Sequence, residues 1–218
     1  ATVCWKAWGQ RGMPGLILVH GGVAHKDWWD SIAPFLADTR RVVALDLTGM
    51  GDSDHRERYS MDTYAREVIA AGETGGAFDA GKPFLVGHSF GGFVSLPEQP
   101  CANAFLLDHI ARQSLKEATR PDGSSGWTWK FDPKLWDKLH YDRPPPAQLA
   151  DRLNTRVALF RGQDSLLVTD EIWAFMRETF GEETTMVSIP DAQHHLILDQ
   201  PIAVAAALEV LTGPGWGV

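Results

Sequence analysis

Basic charge, cysteine and long apolar runs are what this sequence has little of, and each shortage closes off a class of function. Lysine and arginine number 20 against 28 acidic residues, a formal net charge of -8. Such a surface repels a phosphate backbone or an anionic bilayer, and no basic stripe reverses it, so nucleic-acid and membrane binding are set aside. Cys4 and Cys101 are the two cysteines, far apart and without C-x-x-C spacing. They read as buried or surface thiols rather than a disulfide or metal site, which suits a reducing cytoplasm. No apolar stretch reaches the roughly 20 residues of a membrane span, and the N-terminal residues lack the charged-then-apolar order of a signal peptide. His25, His55, His109 and His140 have no metal-ligand spacing, so neither metal nor cofactor is expected.

What is present is an ordinary globular composition, 218 residues with 44% apolar and 22% charged, enough for one domain with a sizeable core. Nine tryptophans are many for this size; most belong in the core, and some are candidates to wall an apolar pocket. Val3 to Trp8 reads as a strand, and the start at Ala1 leaves an edge strand out. Leu16-Ile17-Leu18-Val19 and Val42-Val43-Ala44-Leu45 are continuous apolar runs, as in parallel strands covered on both faces. Asp27 offers an N-cap for a helix carrying Trp28, Trp29, Ile32, Phe35 and Leu36 at helical spacing. The glycines of residues 46–53 do not fit G-x-G-x-x-G and open no helix, which argues against a dinucleotide site. Further helices are expected over Met61 to Ala71, Asn103 to Leu115 (a short strand at Ala104 to Leu107 being the other reading), Asp170 to Thr179 and Pro201 to Leu211, with strands at Arg156 to Phe160 and Thr185 to Ile189. Trp127-Thr128-Trp129-Lys130-Phe131 is expected to pack over something apolar, and Pro144-Pro145-Pro146 to act as a stiff spacer. The alternation of strands and helices predicts an α/β fold with a mostly parallel central sheet and helices on both faces.

Chemistry concentrates at Gly87-His88-Ser89-Phe90-Gly91-Gly92, between the apolar runs Pro83 to Val86 and Phe93 to Leu96. Strand, tight turn and helix start are the setting of a G-x-S-x-G nucleophile elbow, with Ser89 strained and Gly87 and Gly91 giving strand and helix room to pass. Alone, the pentapeptide is equally an ordinary glycine-rich turn. A serine hydroxyl needs a base within reach and a third group to orient it. Ser89, Asp164 and His194 each directly follow an expected strand, in the order Ser, Asp, His.

Taken together, His20-Gly21-Gly22, Asp46-Leu47-Thr48-Gly49-Met50-Gly51-Asp52-Ser53, the elbow, Gly162-Gln163-Asp164 and Ala192-Gln193-His194 resemble the α/β-hydrolase superfamily over nearly the whole chain. Gln193 stands where the family usually has glycine. The resemblance implies Ser89 as nucleophile, His194 as base and then acid (His195 competing), and Asp164 holding the imidazole tautomer. It implies an oxyanion hole from the N–H groups of Gly22 and Phe90, and structural roles for His20 and His88. Trp28, Trp29, Val23 and Trp129 are the candidate pocket residues, with one of Trp28 and Trp29 equally a core residue. A serine rather than a carboxylate at the elbow favours hydrolysis of an ester, thioester or lactone of a small, largely apolar molecule. Carbon-carbon bond hydrolysis and a non-catalytic ligand-binding protein on the same scaffold are the alternatives.

Residues 97–149 resemble part of a helical lid in a bacterial branch that includes monoalkyl phthalate ester hydrolases, with residues 1–96 and 150–218 as the core. In that branch the elbow helix is longer. Here a seven-residue helix covers about 10 Å, too little to return along a five-residue strand of ~17 Å. The sequence therefore reads as lacking several tens of residues, on typical element lengths, between about Phe93 and Pro97. Oligomeric state leaves no signature in it.

Overall fold

The computed structural model describes residues 1–89, 103–140 and 145–216. In chain order the strands are β1 (Trp5–Trp8), β2 (Gly15–Val19), β3 (Arg41–Leu45), β4 (Tyr59–Ser60), β5 (Phe84–Gly87), β6 (Leu115–Thr119), β7 (Ser125–Trp129), β8 (Leu139–His140), β9 (Ala158–Gly162) and β10 (Thr185–Ile189). The α-helices are α1 (Ala33–Leu36), α2 (Met61–Gly75), α3 (Ala104–Ser114), α4 (Leu135–Lys138), α5 (Pro146–Arg152), α6 (Asp170–Phe180), α7 (Leu196–Asp199) and α8 (Pro201–Leu211). The expected gap between Phe93 and Pro97 falls outside the described residues, as do Phe90, Gly91, Cys101 and Pro144.

The described residues form two compact units, 1–89 with 105–140, and 145–216. The first holds a four-stranded sheet in the order β1-β3-β2-β5. Strand β2 lies parallel to both β3 and β5, and β1 runs antiparallel to β3 with Trp5 opposite Leu45. Buried on both faces, β2 and β3 carry the apolar runs such strands require. Ile17, Val43, Leu45, Leu47, Met50, Tyr59, Tyr64, Ala71 and Leu135 pack into one core cluster. Helix α2 covers this sheet; its N-cap is Ser60, whose hydroxyl accepts the Thr63 N–H at 3.2 Å. In the second unit β9 and β10 pair in parallel, with Thr185 opposite Ala158, and Thr169 caps α6.

Several sequence expectations are corrected. The helix expected from Asp27 is broken into a 3-10 turn, Lys26–Trp29, and the single turn α1. Asp27 caps neither, because its carboxylate is drawn into ion pairs with Lys6 and Lys26. Helix α2 runs on to Gly75 and stops at Gly76, which takes the left-handed conformation of a helix end. The helix reading of residues 103–115 holds, as α3. The aromatic segment after it is strand β7 of a hairpin with β6; Phe131 packs against the core cluster as expected, but Trp127 and Trp129 face outward, 67% and 54% exposed. Their two-residue spacing puts both on one face of a two-stranded ribbon with no second layer over it among the described residues. Pro145 and Pro146 serve as N-cap and first residue of α5 rather than as a spacer.

Candidate active site

Ser89 follows β5, whose ladder extends one residue further through His88 N–H to Val19 O at 2.9 Å. The chain then turns so sharply that Ser89 has φ +22°. For a residue with a side chain this region is sparsely populated and costs on the order of 1–3 kcal/mol. The expected strain at the elbow is therefore present. The helix expected to pass Gly87 lies outside the described residues; among those described, an added Cβ at Gly87 would meet nothing within 4 Å. A close approach is present at Gly21, where a Cβ would lie 2.3 Å from Ser89 O and 3.1 Å from His88 O.

The loop after β2 is thus pressed against the elbow. Gly22 N–H donates to Ser89 O at 3.2 Å, and the next residue, Val23, has φ +55°. His20 fixes the loop from behind: its Nε2 accepts the Leu47 N–H at 3.1 Å, and its Nδ1 lies 2.7 Å from Gly21 O. Complete burial depresses His20 from its ordinary 6.5 to about 4, so the ring is neutral at pH 7.

Charges that no local pattern announced surround this loop. Asp46, fully buried at the end of β3, accepts Lys26 N–H at 2.6 Å, Lys26 Nζ at 2.8 Å and Asp52 N–H at 2.8 Å. Gly51 has φ +56°, and a Cβ there would meet the Asp46 carboxylate within 2.5 Å. The glycines of this loop therefore wrap a carboxylate of the chain itself. Lys26 also pairs with Asp52 at 2.6 Å. Burial works against its charge, but Asp46 and Asp52 outweigh it and raise the ammonium above its ordinary range. Burial likewise opposes ionisation of Asp27, yet His25 and Lys6 hold its carboxyl well below the usual range. His25 Nδ1 lies 3.2 Å from Asp27 Oδ2.

Of the candidate pocket residues in this unit, Trp29 is 1% exposed and lies in the core, the place the sequence leaves equally open for one of the two tryptophans. Trp28 is half-buried, with its ring 6.2 Å from that of His88 beside the elbow. Val23 is 39% exposed, and Trp129 stands on the hairpin against Phe131. Phe90, the second expected oxyanion donor, lies outside the described residues.

Asp164 and His194 belong to the second unit, on the loops that follow β9 and β10. Gln163 N–H donates to Ile189 O at 2.8 Å and Asp164 N–H to Ala192 O at 2.9 Å, so the two loops are stitched backbone to backbone. Gly162 makes this possible, for a Cβ there would meet Gln193 O at 1.9 Å. Gln193 N–H donates to Asp199 Oδ2 at 2.8 Å, a support for the histidine loop that the sequence reading missed. Asp164 is exposed on its turn.

His194 and His195 differ in setting. Burial lowers both; for His195, the neighbouring His194 adds to it and brings the value to about 4. The carbonyl of His195 accepts the N–H groups of Leu198 and Asp199, which makes this residue the N-cap of α7.

A non-heme chloroperoxidase of Streptomyces lividans is 35% identical over 131 residues, 56% of this chain and 46% of the relative. The chain thus spans less than half the length of that curated relative. Among solved structures, E-2-(acetamidomethylene)succinate hydrolase superposes with a TM-score of 0.73 at 18% identity, over 95% of this chain and 94% of the other. The thioesterase domain from the curacin biosynthetic pathway gives 0.71 at 19%, over 94% of each. At such identities the likeness is one of fold. A family model matches residues 16–207, from the second strand to the last helix, and the chain belongs to the alpha/beta hydrolase family.

Proposed function

We propose that this chain is a serine hydrolase that cleaves a carboxylic ester, thioester or lactone of a small, largely apolar substrate through an acyl-enzyme. The observation that carries the reading is Ser89, held at φ +22° where β5 ends, with the Gly21–Gly22 turn packed on its carbonyl. Strain of this kind at a chain turn persists where it serves a site. Ser89 Oγ attacks the substrate carbonyl while its proton passes to His194, and the leaving alcohol takes that proton as the C–O bond breaks. Water repeats the sequence and frees the acid. Burial lowers His194 below 6.5, so the neutral, proton-accepting ring prevails at pH 7. Asp164 orients it. The N–H groups of Gly22 and Phe90 receive the developing oxyanion, and rotation of the Gly22 peptide moves its N–H from Ser89 O to that charge. The steps need no cofactor. Trp28, Val23 and Trp129 line the pocket, with residues 97–149 as lid, and monoalkyl phthalates are the first substrates to try.

The test is burst release of chromophore from a short-chain p-nitrophenyl ester, followed by a panel that includes monoalkyl phthalates. Ser89→Ala abolishes burst and turnover, His194→Gln lowers turnover by about 10²–10⁴-fold, and His195→Gln by less than about tenfold. Turnover surviving in Ser89→Ala, or absent from the unaltered chain across the panel, would overturn the reading.

A further inference from the structure

Three side-chain pairs among the described residues fasten helix α3 and the end of the β6–β7 hairpin to the loops after β2 and β3. His109 Nε2 lies 3.1 Å from Asp30 Oδ2, Lys130 Nζ 2.5 Å from Asp52 Oδ1, and His25 Nε2 3.0 Å from Ser114 Oγ at the last residue of α3. The first two are part-exposed, a setting in which such pairs contribute little. The third ends on His25, which is buried.

His25 closes a short loop whose other end is His20. At the His20 end, the ring is held by Leu47 N–H and Gly21 O. At the far end, Lys26 N–H is fixed on Asp46, and His25 spans from Asp27 to Ser114. Ser114 Oγ in turn donates to Ile110 O at 2.7 Å, which ties the contact into the last turn of α3. Between the two anchors stands Val23, β-branched and at φ +55°. That conformation is a genuine outlier for a branched side chain and survives only where its surroundings over-determine it. Its neighbour Gly22 donates its N–H to the main-chain carbonyl of Ser89, the bond that the proposed mechanism exchanges for the oxyanion.

We infer that His25 is a positioning residue for the oxyanion loop: by bridging Asp27 to Ser114 it makes the end of α3 a buttress that keeps Val23 strained and the Gly22 peptide packed beside the elbow, within a turn of the oxyanion. The inference rests on the reading of Ser89 as nucleophile. The segment expected to cover the pocket thereby also sets the oxyanion donor.

The experiment uses the full chain and the variants Ser114→Ala, Ser114→Thr, His25→Gln, Val23→Gly and Val23→Gly/Ser114→Ala. The readouts are the labelling rate of Ser89 by a fluorophosphonate, kcat and KM on the best ester, and amide exchange over residues 21–25. Ser114→Ala and His25→Gln are expected to slow labelling and kcat by about tenfold with KM within about twofold, since a misplaced donor is felt in the transition state. Ser114→Thr keeps the hydroxyl and is expected to restore the rate to within about twofold of the unaltered chain. Glycine tolerates positive φ, so in the Val23→Gly background Ser114→Ala is expected to cost less than about threefold. Exchange over residues 21–25 is expected to rise while β2 and β3 stay protected.

Unchanged exchange in Ser114→Ala with normal labelling would overturn the inference and leave the hydrolase reading standing. So would an equal loss in both backgrounds, or exchange rising throughout the sheet. No labelling of the unaltered chain, with exchange responding as expected, would instead overturn Ser89 as nucleophile and leave the buttress in place.

Discussion

A single missing Cβ decides whether the loop after β2 can reach the elbow. In Gly21→Ala the methyl would have to sit 2.3 Å from Ser89 O, a backbone atom that cannot swing aside. The substitution is expected to cost about 1–3 kcal/mol, as overpacking does, and to abolish labelling of Ser89. Urea unfolding midpoints and fluorophosphonate labelling check the two halves separately. Gly21 was legible in the sequence only as part of the His20-Gly21-Gly22 motif, and the physical need for it appears once Ser89 O is placed beside it. Ser89, Asp164 and His194 could be singled out because each follows an apolar run that ends in a turn. Lys26, His25 and Asp46 could not, because their partners stand 20 and 89 positions away and no periodicity links residues so far apart. Trp28 and Trp29 show why the sequence leaves pocket and core open: an aromatic beside a site motif looks the same in sequence whether it faces the one or the other.

At the scale of elements, the strands and the long helices were readable from apolar runs and caps, down to the bounds of β10 and α8. The stretch 27–36 misled because its apolar spacing suits a helix, while the ion pairs of Asp27 and Lys26 hold the backbone in a tighter turn. One buried carboxylate gathers several of the bonds that hold the segment after β7. Buried Asp132 accepts Tyr59 OH at 2.8 Å, Lys138 Nζ at 2.7 Å and Lys134 N–H at 2.9 Å, and its own N–H donates to Gly49 O at 2.7 Å. Burial alone would raise its pKa, but Lys138, the Lys134 N–H and Tyr59 bring it down to about 2. Asp132→Ala leaves a buried phenol and an ammonium without their acceptor. A loss of about 2–4 kcal/mol is expected, read as a lower urea midpoint, with Asp132→Asn losing less because its amide oxygen still accepts.

For the molecule as a whole, acid sensitivity follows from its histidines before its carboxylates. His20 and His195 stand at about 4 in the fold against an ordinary 6.5, and His194 is lowered too. The native state then binds fewer protons than the unfolded chain between those values, so stability is complete above 6.5 and drains as pH falls toward 4. His20 by itself accounts for about 2 kcal/mol between pH 7 and 5. The stability that Asp132 gains from its ionised form is present above 3.8 and is lost only as pH falls toward 2. Thermal melts from pH 7.5 to 5 are expected to show a falling midpoint, and His195→Gln a shallower fall; a flat profile would contradict the burial of these rings. The net charge of -8 shrinks over the same range, so dilute samples are needed to separate unfolding from association.

The sheet order β1-β3-β2-β5 also governs the time course of assembly. None of its three pairings joins strands adjacent in the sheet through a tight hairpin, and β2 cannot gain its second neighbour until Gly87 has joined the chain. Each pairing must first close a long loop, so the sheet nucleates late and slowly. While it waits, the Leu16-Ile17-Leu18-Val19 edge is open to any other apolar strand in the surroundings. Dilution, low temperature and slow synthesis are the conditions that favour recovery of the folded chain.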